Sequence, residues 1–369
     1  MTYAGADGLT RDEMARVLHF PKDEAEMNSS FSALSETLKD IATKSAKYAE
    51  SNKEKGYDGT PTTLTVANRL FGQSGYEFRP AFLDVAKSIY SAPFEAMDFK
   101  QNSATGLKRI NEWVETQTHQ RIRDLIPDGG IDSQTCLVLV NAIYFKAAWA
   151  EEFLELKTEP LPFHLANGTT VSVPTMNKSA SFFYEKREGY SVVGLPYHYL
   201  YLSSSETERP QRDDRLQFLI LLPDTANGLP ALEKKLNARL LTSCAKLQSQ
   251  EVNLYLPKFK LEPPTLPLGK SLQKLGMTSA FDIPGGTANF NRMAPRRKSD
   301  RLFISEVFHK TYLNLDEGGT EAASASGVSM PKGGSHPTVE VRVDRPFLFA
   351  IQHRESGACL FLGRMVDPR

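Results

Sequence analysis

The sequence predicts an α+β fold, and three observations carry that prediction. Apolar residues alternate with period two over Phe303–Leu315 and Thr338–Val343, and the apolar stretch Pro346–Ile351 follows. Apolar runs at Cys136–Lys146 and Phe218–Pro223 read as buried strands, the first covered on both faces. Helical spacing occurs instead at Ile110, Trp113, Val114, Gln117, Ile122 and Leu125, and again over Phe31–Lys47. A chain of 369 residues with 40% hydrophobic content can bury a large core, and no linker-like stretch divides it. One domain over 1–369 is therefore expected.

The elements follow in order. Thr10-Arg-Asp-Glu13 has the spacing of a capping box, with Met14, Val17 and Leu18 behind it at helical intervals. After the helix Phe31–Lys47, the residues from Tyr48 to Thr63 carry Lys, Glu, Gly and Pro and read as a polar loop. Leu64–Phe71 is a strand, and the helix through Ile110 and Trp113 is amphipathic. The run Cys136–Lys146 has one strongly polar interruption, Asn141, which needs hydrogen-bond partners if it is buried. Strands and turns dominate from Leu161 to Pro223, with the polar insert Ser203–Asp214 expected as a disordered hairpin tip. Val252–Phe259 and the final run from Leu360 complete the strands.

Composition excludes several classes of function. Lys+Arg and Asp+Glu both total 44, so no global field favours nucleic acid or an anionic membrane. The densest basic cluster, Arg296-Arg-Lys298 with Arg301, reads as a solvated loop. Cys136, Cys244 and Cys359 are too few and dispersed for a disulfide framework or a zinc site, and Cys136 and Cys359 read as small core residues. No apolar run reaches the length of a membrane span, and the first residues do not form a signal peptide. No nucleophile-elbow, zinc-helix or paired-cysteine motif is present. Leu268-Gly-Lys-Ser271 ends like a phosphate-binding loop, but Pro264 stands where the first glycine is required. Neither a cofactor nor a metal is expected, and the chain does not read as an enzyme.

The remaining feature is Asp316-Glu-Gly-Gly-Thr-Glu-Ala-Ala-Ser-Ala-Ser-Gly-Val-Ser-Met330, followed by Pro331-Lys-Gly-Gly-Ser335. From Gly318 to Ser329 the larger side chains are Glu321 and Val328 alone. A flexible linker is the simplest reading of such a composition. Written as a strand, however, it places Thr320, Ala322, Ser324, Ser326 and Val328 on one face, and it contains no proline before Pro331.

Glu317-Gly-Gly-Thr-Glu-Ala-Ala-Ser-Ala325 resembles the hinge of a serpin reactive-centre loop. Ala67-Asn-Arg-Leu-Phe71, Leu256-Pro-Lys-Phe259 and the C-terminal Leu360-Phe-Leu-Gly resemble further segments of that family, and the likeness runs from Tyr3 to Pro368. The resemblance implies large mixed β-sheets with surrounding helices and an exposed reactive-centre loop at about 317–340. In the family a first helix, a strand and a serine-containing helix start precede the equivalent of Tyr3, so the domain reads as N-terminally shortened.

The resemblance also implies the chemistry. A serine or cysteine protease cleaves the exposed loop, and its hinge side inserts into the neighbouring sheet before the acyl-enzyme is hydrolysed. About fifteen inserted residues at roughly 3.4 Å each would span about 50 Å. The hinge is Glu317, Gly319, Thr320, Glu321, Ala322, Ala323, Ser324, Ala325 and Ser326, small enough to insert quickly. Asn141 and His309 match the family's shutter, and Trp149 its breach at the top of the sheet. Counting from Glu317 lands on Lys332 or Gly333, whereas counting back from Glu340 and Pro346 lands nearer Ser335, and Lys332-Gly333 is taken as the reactive bond. Lys332 suits a trypsin-like partner, and Val328-Ser329 an elastase-like one. A monomer is expected, with a risk of loop-sheet polymers. The alternatives are a non-inhibitory binding or chaperone protein of the same fold, and a self-associating module. The sequons Asn28-Ser-Ser, Asn167-Gly-Thr and Asn177-Lys-Ser matter only in a secretory pathway, and the resemblance favours an extracellular address.

Overall fold

The computed structural model describes residues 1–21, 23–54, 61–150, 152–201, 211–213, 215–282, 286–295, 302–321 and 338–369. The basic cluster at 296–298 and 301 lies outside them. The chain forms two compact units, one of Met1–Lys39, Leu64–Tyr144 and Glu262–Tyr312, the other of Asp40–Thr63, Phe145–Leu261 and Leu313–Arg369.

In the first unit the helix Gly8–Leu18 starts with Asp7, whose side chain accepts from the Gly8 N–H. The predicted capping box is used otherwise. The Glu13 carboxylate accepts the backbone N–H groups of Thr278 and Ser279, both at 2.8 Å, and Thr10 Oγ1 accepts from Asn289 N. Burial opposes the ionisation of Glu13, but these bonds outweigh it and hold the group below its ordinary value. The Thr-x-x-Glu spacing therefore serves a long-range tie instead of a helix start. Met14 is buried and Val17 partly so, whereas Leu18 faces solvent.

The next helix runs from Glu24 to Glu54 and overruns the predicted span at both ends. Its extension through Tyr48–Glu54 contains Ala, Glu and Lys and no Gly or Pro, so nothing local stops it. The strand Thr63–Gln73 pairs in parallel with Phe94–Met97. Against it lies the helix Phe99–Gln117, with Ile110, Trp113 and Val114 buried. Phe71 and Trp113 meet edge to face at 5.8 Å. The apolar stripe read as continuing to Leu125 leaves the helix at Gln117. There Thr118 Oγ1 donates to Val114 O and accepts from Ile122 N, and His119 and Gln120 take positive φ. Ile122 and Leu125 still join the same core from the following turns.

The run from Cys136 forms the strand Leu137–Trp149, with Val140, Ala142 and Tyr144 buried in the first unit. Its early residues are not covered on both faces as expected. Leu137, Val138 and Leu139 are half-exposed and Asn141 is exposed, because a cavity of about 210 Å³ lies beside them instead of packed side chains. Phe303–Leu315 also departs from one continuous strand, since only Phe308–His309 and Leu313–Leu315 are paired. Before them, Ile304 N donates to Ala280 O, and Glu306 accepts from Gly269 N and Val307 N, so these bonds go outside any ladder.

In the second unit, strand Thr170–Arg187 pairs antiparallel with Glu159–His164, Ser249–Pro257 and Tyr190–Tyr201. Leu216–Pro223 is wholly buried, as its apolar run requires, and pairs with Tyr190–Tyr201 and Phe347–His353. Phe347–His353 in turn pairs with Cys359–Met365. Of the polar insert Ser203–Asp214, residues 203–210 and 214 lie outside the described residues, and Gln211–Asp213 pairs with Tyr199–Tyr201. Cys244 is the buried cysteine; Cys136 is half-exposed and Cys359 exposed, contrary to their expected core positions, because each sits at or just before the start of its strand.

Candidate functional site

The hinge side of the candidate site belongs to the second unit and starts from a turn. Asp316 Oδ1 accepts from Gly318 N and Gly319 N, and Asp316 N donates to Gly319 O, which folds Asp316–Gly319 back on itself. Burial raises the Asp316 carboxyl above its ordinary value, and the two N–H donors only partly offset it.

The turn places Gly319–Thr320 as a short strand with neighbours on both sides. Thr320 pairs with Leu315 on one side and with Ala147 on the other, while Gly319 pairs with Ala148. Both pairings are antiparallel. Gly319 has φ of +149°, and a Cβ there would sit 2.1 Å from Ala147 O and 2.8 Å from Ala148 Cα, so only glycine fits. Glu321 follows at φ of 54°, in the left-handed region, with its N–H bonded to Asn314 O. Residues 322–337 lie outside the described residues, and with them Ala322, Ala323, Ser324, Ala325, Ser326, Lys332 and Gly333.

Aromatic packing surrounds the paired residues Gly319 and Thr320. Trp149 is 2% exposed, donates from Nε1 to Asp316 O at 2.9 Å and from its backbone N to Gly318 O. Tyr197 stacks on Trp149 at 4.9 Å and 10°, and its hydroxyl shares a 2.6 Å hydrogen bond with Thr320 Oγ1. Burial pushes the Tyr197 phenol far above its ordinary pKa, so it is neutral at any physiological pH.

Glu317 anchors the turn. Its side chain is 5% exposed, accepts from Lys258 Nζ at 2.6 Å and from Thr158 Oγ1 at 2.7 Å, and its carbonyl accepts from Phe153 N. Burial works against the charge, but the Lys258 and Thr158 bonds outweigh it and hold the carboxyl below its usual range. Glu317, Gly319, Thr320, Glu321 and Trp149 are thus gathered in one place.

Asn141 and His309, matched above to the family's shutter, lie in the first unit and are not buried. Asn141 Nδ2 donates to Asn68 Oδ1 at 2.7 Å. His309 pairs through its backbone with Leu266, and partial desolvation lowers its imidazole pKa. No hydrogen bond joins Asn141 to His309 among the described contacts, and the strand's face at Asn141 borders the cavity.

Sequence reading passed over Tyr197, Thr158, Lys258 and Asn68 as parts of these sites. Lys258 and Asn68 fell inside quoted family segments, but spacing alone gives no role to either; Tyr197 and Thr158 carried no signal at all.

The serpin (serine protease inhibitor) family model matches residues 1–368. The chain belongs to the serpin family. Among similar proteins, Serpin B10 of Homo sapiens is 34% identical over 384 residues, covering 100% of this chain and 90% of that one. The leukocyte elastase inhibitor of Bos taurus is 36% identical over 376 residues, covering 100% and 89%. Among solved structures, uncleaved ovalbumin superposes with a TM-score of 0.76 at 28% identity, covering 100% of this serpin and 89% of that chain. Cleaved Serpin 42Da gives 0.76 at 28%, covering 100% and 88%. The α+β serpin fold is therefore that of this chain. The extracellular address expected from the resemblance finds no support in the fold or in these relatives.

Proposed function

We propose that this serpin is a single-domain suicide-substrate inhibitor of serine proteases, acting by loop cleavage, acyl-enzyme trapping and insertion of the hinge into its sheet. The observation that carries this reading is the pairing of Gly319–Thr320 between Leu315 and Ala147–Ala148. Two hinge residues already occupy a strand position, and the small side chains Ala322, Ala323, Ser324, Ala325 and Ser326 that follow suit its extension. Each further ladder bond contributes about 1 kcal/mol net, so about ten bonds supply on the order of 10 kcal/mol before packing. If insertion outruns deacylation, the protease is carried off with its oxyanion hole disrupted and the ester survives.

Lys332-Gly333 is the proposed reactive bond, which makes a trypsin-like protease the first partner to try. Val328-Ser329 is the second, and the leukocyte elastase inhibitor among the relatives favours an elastase-like enzyme. Asn141 and His309 are proposed to act as the shutter once the strand arrives. A carrier role is the alternative, favoured by the likeness to thyroxine-binding globulin, with a TM-score of 0.76 at 27% identity.

Incubation with trypsin, followed by denaturing gels and a melt of the product, tests the proposal. A complex stable to boiling in detergent and a large rise in melting temperature are expected, with cleavage after Lys332. Clean cleavage with neither effect would leave the carrier reading.

A further inference from the structure

Two neighbouring constraints act on the hinge where it joins the sheet. At Gly319 the Ala147 carbonyl leaves no room for a Cβ. One residue later the Tyr197 hydroxyl, enclosed with its residue 1% exposed, meets the Thr320 hydroxyl, also 1% exposed, at 2.6 Å. A slip of the chain by one residue reverses every side chain to the opposite face. Slipped one way, the Thr320 side chain would run into the Ala147 carbonyl. Slipped the other, Gly319 would take the place of Thr320 and leave the buried Tyr197 hydroxyl without its partner in a dry aromatic pocket, which burial strongly opposes.

Tyr197 is itself held rigidly. It stacks on Trp149, meets Phe145 edge to face at 4.9 Å, and pairs with Trp149 across the ladder. A phenol fixed on three sides presents its oxygen at one point. An unpaired hydroxyl at that point would lose the bond that compensates for its burial. The socket is thus selective for a residue that is β-substituted, small and hydroxyl-bearing.

We propose that Tyr197 is a positioning residue of the inhibitory reaction. Its hydroxyl holds Thr320 and, with the glycine-only site at 319, sets the register in which the hinge begins to insert. This rests on the insertion mechanism above. A hinge held in register extends from an existing strand; one released must first find its place, which gives the acyl-enzyme longer to hydrolyse.

The test compares Tyr197→Phe, Thr320→Val, the double variant and Thr320→Ser, with thermal melts confirming that each folds. Two quantities are read: amide hydrogen exchange at Thr320 and Glu321 in the uncleaved protein, and the ratio of cleaved inhibitor to detergent-stable complex with trypsin. Loss of one hydrogen bond corresponds to about a fivefold change in such ratios. Tyr197→Phe and Thr320→Val should each raise both quantities by about that factor, the double variant should exceed neither, and Thr320→Ser should restore both. Because the two single variants remove the same bond from opposite sides, failure of one to fold leaves the other to decide. Unchanged exchange in Tyr197→Phe, or additive effects in the double variant, would overturn the proposal. Changed exchange with an unchanged ratio would also overturn it, by leaving Tyr197 a purely structural contact. Absence of complex in the unaltered protein would overturn the inhibitory reading instead, and exchange would still decide whether Tyr197 holds Thr320.

Discussion

The turn at Glu317 and the surroundings of Asn141 hold polar side chains in opposite ways. Glu317 is enclosed, with a cation and a hydroxyl on its carboxylate and a tryptophan bonded to the preceding carbonyl. Asn141 is exposed, bonded to Asn68 alone among the described contacts and bordered by a cavity. Enclosure makes a bond expensive to lose, because the abandoned group cannot turn to water. Exposure makes it cheap. Substitutions in the first place should therefore act on the resting molecule, and those in the second only on a state that buries Asn141.

The sharpest way to break that contrast is Gly319→Val. Its Cβ would collide with backbone, so the hinge should leave the sheet at a cost of roughly 2 kcal/mol or more, and the thermal gain after cleavage should disappear. A melt before and after trypsin treatment checks both. Next comes Glu317→Ala, which strands Lys258 and Thr158. Lys258 is 36% exposed and can partly rehydrate, so about 1–3 kcal/mol is expected, read as a lowered melting temperature with more oligomer on mild heating.

Acid should separate the two adjacent carboxyls. Glu317 is held below its ordinary value of 4.5, so its contribution is complete above that pH and is lost as pH falls through the depressed folded value. Asp316 is shifted above its ordinary 3.8, so the folded protein takes up that proton first, and acidification through this window favours folding. Asp316→Asn removes the opposing contribution and should steepen the loss of stability on acidification, as melts over about pH 3 to 6 would record. The smallest effect belongs to Asn141→Ala, which should change native stability by about 0.5 kcal/mol or less. A much larger effect on the cleaved form than on the uncleaved one would support the shutter proposal; equal effects would remove it.

Much of this architecture was legible because it rests on periodicity and small residues. Phe218–Pro223 reads as a core strand from its apolar run, and Gly319 and Thr320 stand out within the hinge pattern. What escaped was mostly long-range. The Thr10-x-x-Glu13 spacing looks local, yet its carboxylate reaches Thr278 and Ser279, and no pattern within a short window reports that. The exposure of Asn141 is not legible for a related reason, since an apolar run shows what a strand could bury and not what is present to bury it. Asn177, a sequon residue, donates to Asn253 and Leu254 within the sheet, whereas Asn167 lies in an exposed turn. A three-residue motif cannot make that distinction.

The left-handed backbone of Glu321 sets a clock. For the strand to lengthen past Thr320, this residue must rotate from φ of 54° to an extended value. Loop rearrangements of that kind take nanoseconds to microseconds. In the proposed inhibitory reaction, a delay long enough for the acyl-enzyme to escape would therefore come from the search for register or from later extension of the strand, and not from this single rotation.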